Sequence, residues 1–138
     1  MHRDLANHLA VRRAISPAAA TTDNTALVSQ IIDRSGFEML MFAIAYGALA
    51  DADATFTALI EHGDESDLSD AAAVPDVLLT GTEADAGATF ADDDTVTKIG
   101  YVGTKQYVRL TVTPANNTGN AFISAIAVLS SARYWPAT

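Results

Sequence analysis

The chain has no cysteine, so disulfide bonds and thiolate metal sites are unavailable to it. That composition suits a reducing compartment such as the cytoplasm. Aromatic residues make up only 7% of the sequence, with a single tryptophan. This is thin supply for the aromatic-lined clefts that sugar-cleaving sites favour. There are three histidines, His2, His8 and His62, and two of them lie near the start. A histidine triad for a metal, or a nucleophile with a held base beside it, is therefore poorly provided for. No apolar run is long enough to cross a bilayer. The longest, Met39 to Ala50, has 12 residues, against about 20 for a spanning helix. The N-terminal region does not read as a signal peptide, because Arg12 and Arg13 interrupt its apolar part and Asp4 sits where positive charge is expected. Lys and Arg are absent between Arg34 and Lys98.

The charge layout narrows the function classes further. Net charge is −9, and Asp51 to Asp94 holds thirteen acidic side chains. Nucleic-acid binding needs a broad surface of the opposite sign, so no nucleic-acid partner is expected, and no membrane partner either. The acidic stretch reads as a solvated face that maintains solubility, or as a surface for a basic partner or divalent cations.

What is present is β-pattern. In Tyr107 to Thr113, Val108, Leu110 and Val112 alternate with Tyr107, Arg109, Thr111 and Thr113. A period of two places the aliphatics on one sheet face and the polar groups on the other. Pro114 to Asn120 is a turn cluster, and Ala121 to Leu129 is a second apolar run. These two runs are expected to pair as an antiparallel hairpin. Leu27 to Ile32 reads as a strand. Phe37 to Tyr46 is apolar on both faces, which predicts a central strand covered on both sides. Ala48 to Ala54 is a turn, Thr55 to Glu61 alternates again, and His62 to Ala73 reads as an acidic loop. Val77 to Thr80, Ala88 to Phe90 and Thr95 to Val102 are further short strands. About eight short strands without helical crossovers predict an all-β fold, an antiparallel β-sandwich of jelly-roll type. A chain of 138 residues forms one such domain, expected over residues 24–138. Residues 1–23 hold Arg3, Arg12, Arg13 and an Ala-rich end, and Ser16-Pro17 interrupts any helix. They read as an N-terminal arm and linker.

Chemistry-bearing motifs are few. Asp51/Asp53 and Asp92 to Asp94 are carboxylate clusters on loops, without the glycine and terminal glutamate spacing of a helix-loop-helix calcium loop. A surface calcium site would need both loops at one end of the sandwich. Asn116 opens a glycosylation-type sequon, but Asn, Thr and Gly here serve a turn. No catalytic residue, metal ligand or cofactor is assigned, and no enzyme activity is expected. Arg133, Tyr134 and Trp135 near the end of the chain combine the residue types enriched at binding hot spots. With Arg3, Arg12 and Arg13 they are the candidate interface residues.

Three stretches carry a family resemblance: ALADADATFTALIEHGDESD (48–67), LLTGTEADAGATFADDDTVTKIGYVGTKQYVRLTVTP (78–114) and NNTGNAFISAIAVL (116–129). Together they cover about two-thirds of the chain. The order is an ADADATFT-type hairpin, a GTE segment, an IGYxGxKxYVRxTxTP segment and a TGNA turn into a closing strand. This pattern resembles a family of small virion proteins of tailed bacteriophages, prophages and gene transfer agents, and most of all their head spike base protein. The resemblance implies a structural protein at the capsid vertex of a phage-like head, assembled in the bacterial cytoplasm. Its implied partners are the major capsid protein, a spike fibre protein and further copies of itself as a homopentamer. The alternative from a different class is a carbohydrate- or calcium-binding sandwich module.

Overall fold

The computed structural model describes residues 3–134 and 136–138. Two antiparallel sheets face each other, as the alternating pattern predicts. The strands in chain order are β1 (Leu9–Ile15), β2 (Leu27–Val28), β3 (Ile32–Asp33), β4 (Phe37–Leu49), β5 (Thr55–Gly63), β6 (Ala72–Ala73), β7 (Leu79–Thr80), β8 (Ala88–Thr89), β9 (Thr95–Tyr101), β10 (Tyr107–Ala115) and β11 (Ala121–Ala132). Sheet A has the order β1-β11-β4-β9-β7. Sheet B has the order β2-β10-β5-β6, with β3 also on β10 and β8 on β5. One four-residue helical turn, Glu83–Ala86, is capped by the Thr82 hydroxyl, which accepts from the Asp85 N–H.

The core lies between the sheets. Leu40, Phe42, Ile44 and Tyr46 point inward from β4, every second residue. Val108, Leu110 and Val112 answer from β10, and each is fully buried. Ile99, Ile60, Phe56, Ala127 and Leu129 fill the remaining space.

Several expectations are corrected. First, β10 and β11 do not pair. β10 pairs with β5 along its whole length, and β11 lies between β1 and β4 in the other sheet. The 114–120 turn therefore crosses the end of the sandwich rather than closing a hairpin. Asn116 takes a left-handed φ of 56° there, and the buried Asn117 amide donates to the Thr21 and Asp23 carbonyls. Those bonds tie the crossing to the opposite sheet's entry segment, where a two-residue hairpin turn would have kept both strands in one sheet. Second, residues 9–15 are not a free arm. They form edge strand β1, in register with β11 from Leu9↔Ser130 to Ile15↔Ala125, and Ala10, Ala14 and Ile15 are part of the core. The folded domain thus begins well before residue 24. Third, β4 is buried on its inner face only, and Met39 on the outer face is 58% exposed. Fourth, the 27–32 segment is two short pairings separated by residues 29–31, where the Ser29 hydroxyl accepts the Leu110 N–H. β5 also runs two residues beyond Glu61 into the segment read as loop, and Ala72–Ala73 pairs back onto it.

Candidate interaction surfaces

The six interface candidates do not form one patch. Arg12 and Arg13 are consecutive in a strand, so they leave opposite faces of sheet A. The Arg12 guanidinium donates to the Thr138 backbone oxygen (2.8 Å) and lies 6.0 Å from the centre of the Phe37 ring. It holds the C-terminal segment against the sandwich, aided by the Ala137 N–H donating to the Asn7 carbonyl. Arg13 faces outward, with its guanidinium 3.4 Å from the Gln30 amide oxygen. Arg3 is exposed ahead of the first strand. Arg133 lines a cleft of about 480 Å³ with Arg34, Gly36, Glu38, Gly103 and Gln106, and Tyr134 beside it is 79% exposed. Trp135 lies outside the described residues.

Arg34, which sequence reasoning passed over, organises that end. Its guanidinium is buried, donates to the Lys105, Gly103 and Glu38 carbonyls at 2.9, 3.1 and 3.3 Å, and stacks 5.2 Å from the Tyr101 ring centre. Every one of these acceptors is backbone or ring, so its job is to hold the 103–106 and 37–38 segments together. A lone arginine between two weak strand signals gives no sign of this in the sequence.

His62, the one histidine inside the sandwich, is bonded rather than poised. Its Nδ1 lies 2.7 Å from the Tyr101 hydroxyl, and that hydroxyl accepts the Lys105 N–H at 3.1 Å. The phenol hydrogen is free to point at the ring nitrogen, an arrangement that goes with a neutral imidazole carrying its proton on Nε2. Burial, and then the Lys105 charge, push the His62 pKa down. Lys105 itself pairs with Asp64 at 2.6 Å on the surface.

Charge is sorted along the sandwich. The end built from the 16–26, 50–54, 81–94 and 115–120 segments carries aspartates and not one Lys or Arg. Both aspartate loops do fall at this end. Their carboxylates, however, are spent on neighbouring backbone. Asp51 accepts from the Asp53 and Thr118 N–H groups, Asp92 from Thr89 and Asp93 from Leu49. These bonds lower the Asp51 pKa. Among the described residues no three acidic or histidine side chains converge on a cation position.

The outer face of sheet A is the most unusual surface. Cross-strand rows run Val11–Val128–Met41–Gly100 and Arg13–Ile126–Ala43–Lys98, followed by Ser124–Ala45–Val96. Val11, Met39, Val96, Phe122 and Ile126 are all exposed on it. A trough of about 580 Å³ runs between Leu9, Met39, Met41, Val128, Gly100 and Lys98. The outward positions of a solvated antiparallel sheet are ordinarily polar. The sequence signal was present in the two-sided apolarity of β4.

No protein-family model matches the chain, and no curated protein sequence matches it. Solved structures do share its fold. The PBSX exported protein XepA matches at 16% identity and TM-score 0.55 over 88% of this chain and 37% of its own. This chain therefore spans little more than a third of that protein. A chain of the capsid of Ralstonia phage GP4 matches at 11% identity and TM-score 0.53, over 88% of this chain and 83% of its own. The xylan-binding module CBM15 is more distant, at 12% identity and TM-score 0.43. At these identities the likeness is one of fold, the β-sandwich.

Proposed function

We propose that this chain is a non-enzymatic structural protein of a phage-like particle: the spike base, set as a homopentamer on the capsid vertex between the major capsid protein and a spike fibre. The observation that carries the reading is the agreement of two independent signals. The ADADATFT, IGYxGxKxYVR and TGNA stretches resemble small virion proteins, and a chain of a phage capsid matches the fold over most of both lengths. The surface is compatible with such a role. A capsid adaptor needs contact faces rather than a cleft, and an apolar sheet face with a cation-free acidic end supplies them. The spacing of the motifs places them in structural positions. ADADATFT forms the β4–β5 turn and start of β5, IGYxGxK ends β9 and leads into β10, and TGNA opens β11. The virion setting follows from the reading, with assembly in the producing cytoplasm.

Electron microscopy of particles from a strain lacking this gene tests it. Intact heads without vertex spikes are expected. Particles that keep their spikes, or a failure to form heads, would overturn the reading. Binding to a glycan array without any capsid association would instead favour the carbohydrate-binding module.

A further inference from the structure

We propose that the outer face of sheet A is the subunit contact of this protein, and that it seats the acidic end of a second copy in a head-to-tail arrangement. The inference deepens the ring reading given above and rests on it for the need of a repeated contact. The choice of surfaces stands on the molecule itself.

The face is too apolar to be a finished surface. Val11, Met39, Val96, Phe122 and Ile126 stand out of it in one continuous sheet, from β1 to β9. Four strands about 4.8 Å apart, each offering about seven residues at about 3.3 Å, span a flat area of about 450 Å². Its accessible area, with side-chain relief, is larger. The flat area is a little over half of the roughly 800 Å² each partner gives to a standard specific interface, and it lies within the size range of the largest surface patches, which are often functional.

Charge selects the occupant. In the paired rows of this face the charged side chains are Arg13 and Lys98, at the two ends of a single cross-strand row, while the exposed Glu38 lines the trough at the start of β4, beyond Met39. Lys98 has no ion-pair partner among the described residues. Stacking two such faces about a two-fold axis through the middle of the row would set Arg13 of one copy over Lys98 of the other. Like charges brought together in an apolar contact oppose that arrangement. The end formed by the 50–54 and 89–94 turns has the opposite character. It presents Asp53 and Asp94 with Phe90 exposed beside them, and no cation. An apolar face with a cation at each end of its Ile126 row and an anionic end bearing an aromatic are complementary within one molecule. A contact between two different surfaces repeats from copy to copy, and it closes into a ring when the rotation permits.

The test uses the purified full chain in sedimentation velocity. Ile126→Glu and Val96→Asp alter outward side chains only. Asp53→Lys combined with Asp94→Asn alters the acidic end, with Asn chosen because it tolerates the left-handed φ of 56° at position 94. The wild type is expected to associate. Each variant is expected to remain folded by circular dichroism and to associate about a hundredfold more weakly, as for loss of a central contact. The decisive measurement is a mixture. Ile126→Glu retains an intact acidic end and the double variant retains an intact face, so together they should give a one-to-one dimer and nothing larger. Wild-type association that survives both face substitutions overturns the assignment of the face while leaving the spike base reading intact. A monomeric wild type, or a mixture that stays monomeric, also overturns it. Loss of capsid binding with unchanged self-association would assign the face to the capsid instead and equally overturn the proposal. The spike base reading is judged separately, by the imaging of particles.

Discussion

At the scale of single residues, the inward trio of β10 shows how much stability rests on one side chain. Leu110 is fully buried between the sheets. Leu110→Asp would place a carboxylate there without a partner, at a cost of about 3 kcal/mol or more. A thermal melt should show the loss, and an unshifted melt would mean that Leu110 does not face the core. Tyr46 predicts an effect of pH. Its hydroxyl donates to the Ala86 carbonyl at 2.7 Å, and burial pushes its pKa up to about 12. The unfolded phenol ionises near 10, so the unfolded state loses its proton first. The contribution is fully present below pH 10 and is lost as pH rises toward 12, amounting to about 2–3 kcal/mol. Denaturant titrations across that window should fall more steeply for the wild type than for Tyr46→Phe. His62 works at the other end of the scale. Its pKa is lowered in the fold, so its contribution is present above the free imidazole value of about 6.5 and is lost as pH falls below it. His62→Gln should flatten the stability profile across that acid limb, whereas an unchanged slope would show that His62 is not responsible.

At the scale of elements, β1 is the instructive case. It covers one edge of β11 and contributes Ala10, Ala14 and Ile15 to the core. Burying an isoleucine side chain alone is worth about 1.5–3 kcal/mol. Removing residues 2–20 should therefore lower the melting temperature, on the order of 10 °C or more, because it also leaves the backbone groups of β11 unpaired. Removing residues 2–6 should cost little, since Arg3 and Asp4 are exposed and precede the sheet. Equal melting curves for the two truncations would show that β1 does not contribute to the sandwich.

At the scale of the whole molecule, the two sheets leave unlike surfaces. Sheet A turns an apolar, cation-bearing face outward. The outer face of sheet B carries Thr55, Thr57, Thr111 and Thr113, together with the Arg109–Glu61 pair at 3.0 Å. That difference predicts asymmetry in how the molecule meets others. Val28→Asp, on sheet B, should leave self-association unchanged in sedimentation velocity. Weakening equal to that from Ile126→Glu would mean that the exposed apolar residues act without regard to face.

The strand pattern was legible in local chemistry. Alternation in 55–61 and 107–113 assigned inner and outer faces correctly, because side-chain direction in a strand is set by the backbone alone. The two-sided apolarity of 37–46 was equally visible, but its meaning was not. An apolar outer position is covered by a second layer or left for a partner, and only the assembled sandwich shows that none of the described residues forms a layer over it. The candidate site was less legible still. Arg12 and Arg13 stood out as a basic pair, yet one binds the C-terminal segment and the other faces outward. The sequence by itself determined the all-β class, the inward faces of the main strands and an acidic stretch without cations. Tertiary structure alone decided that β10 and β11 belong to different sheets, that residues 9–15 form an edge strand, and that the aspartate loops gather at one end. The reason is physical: face depends on neighbouring residues, whereas partner and sheet depend on burial shared between segments distant along the chain.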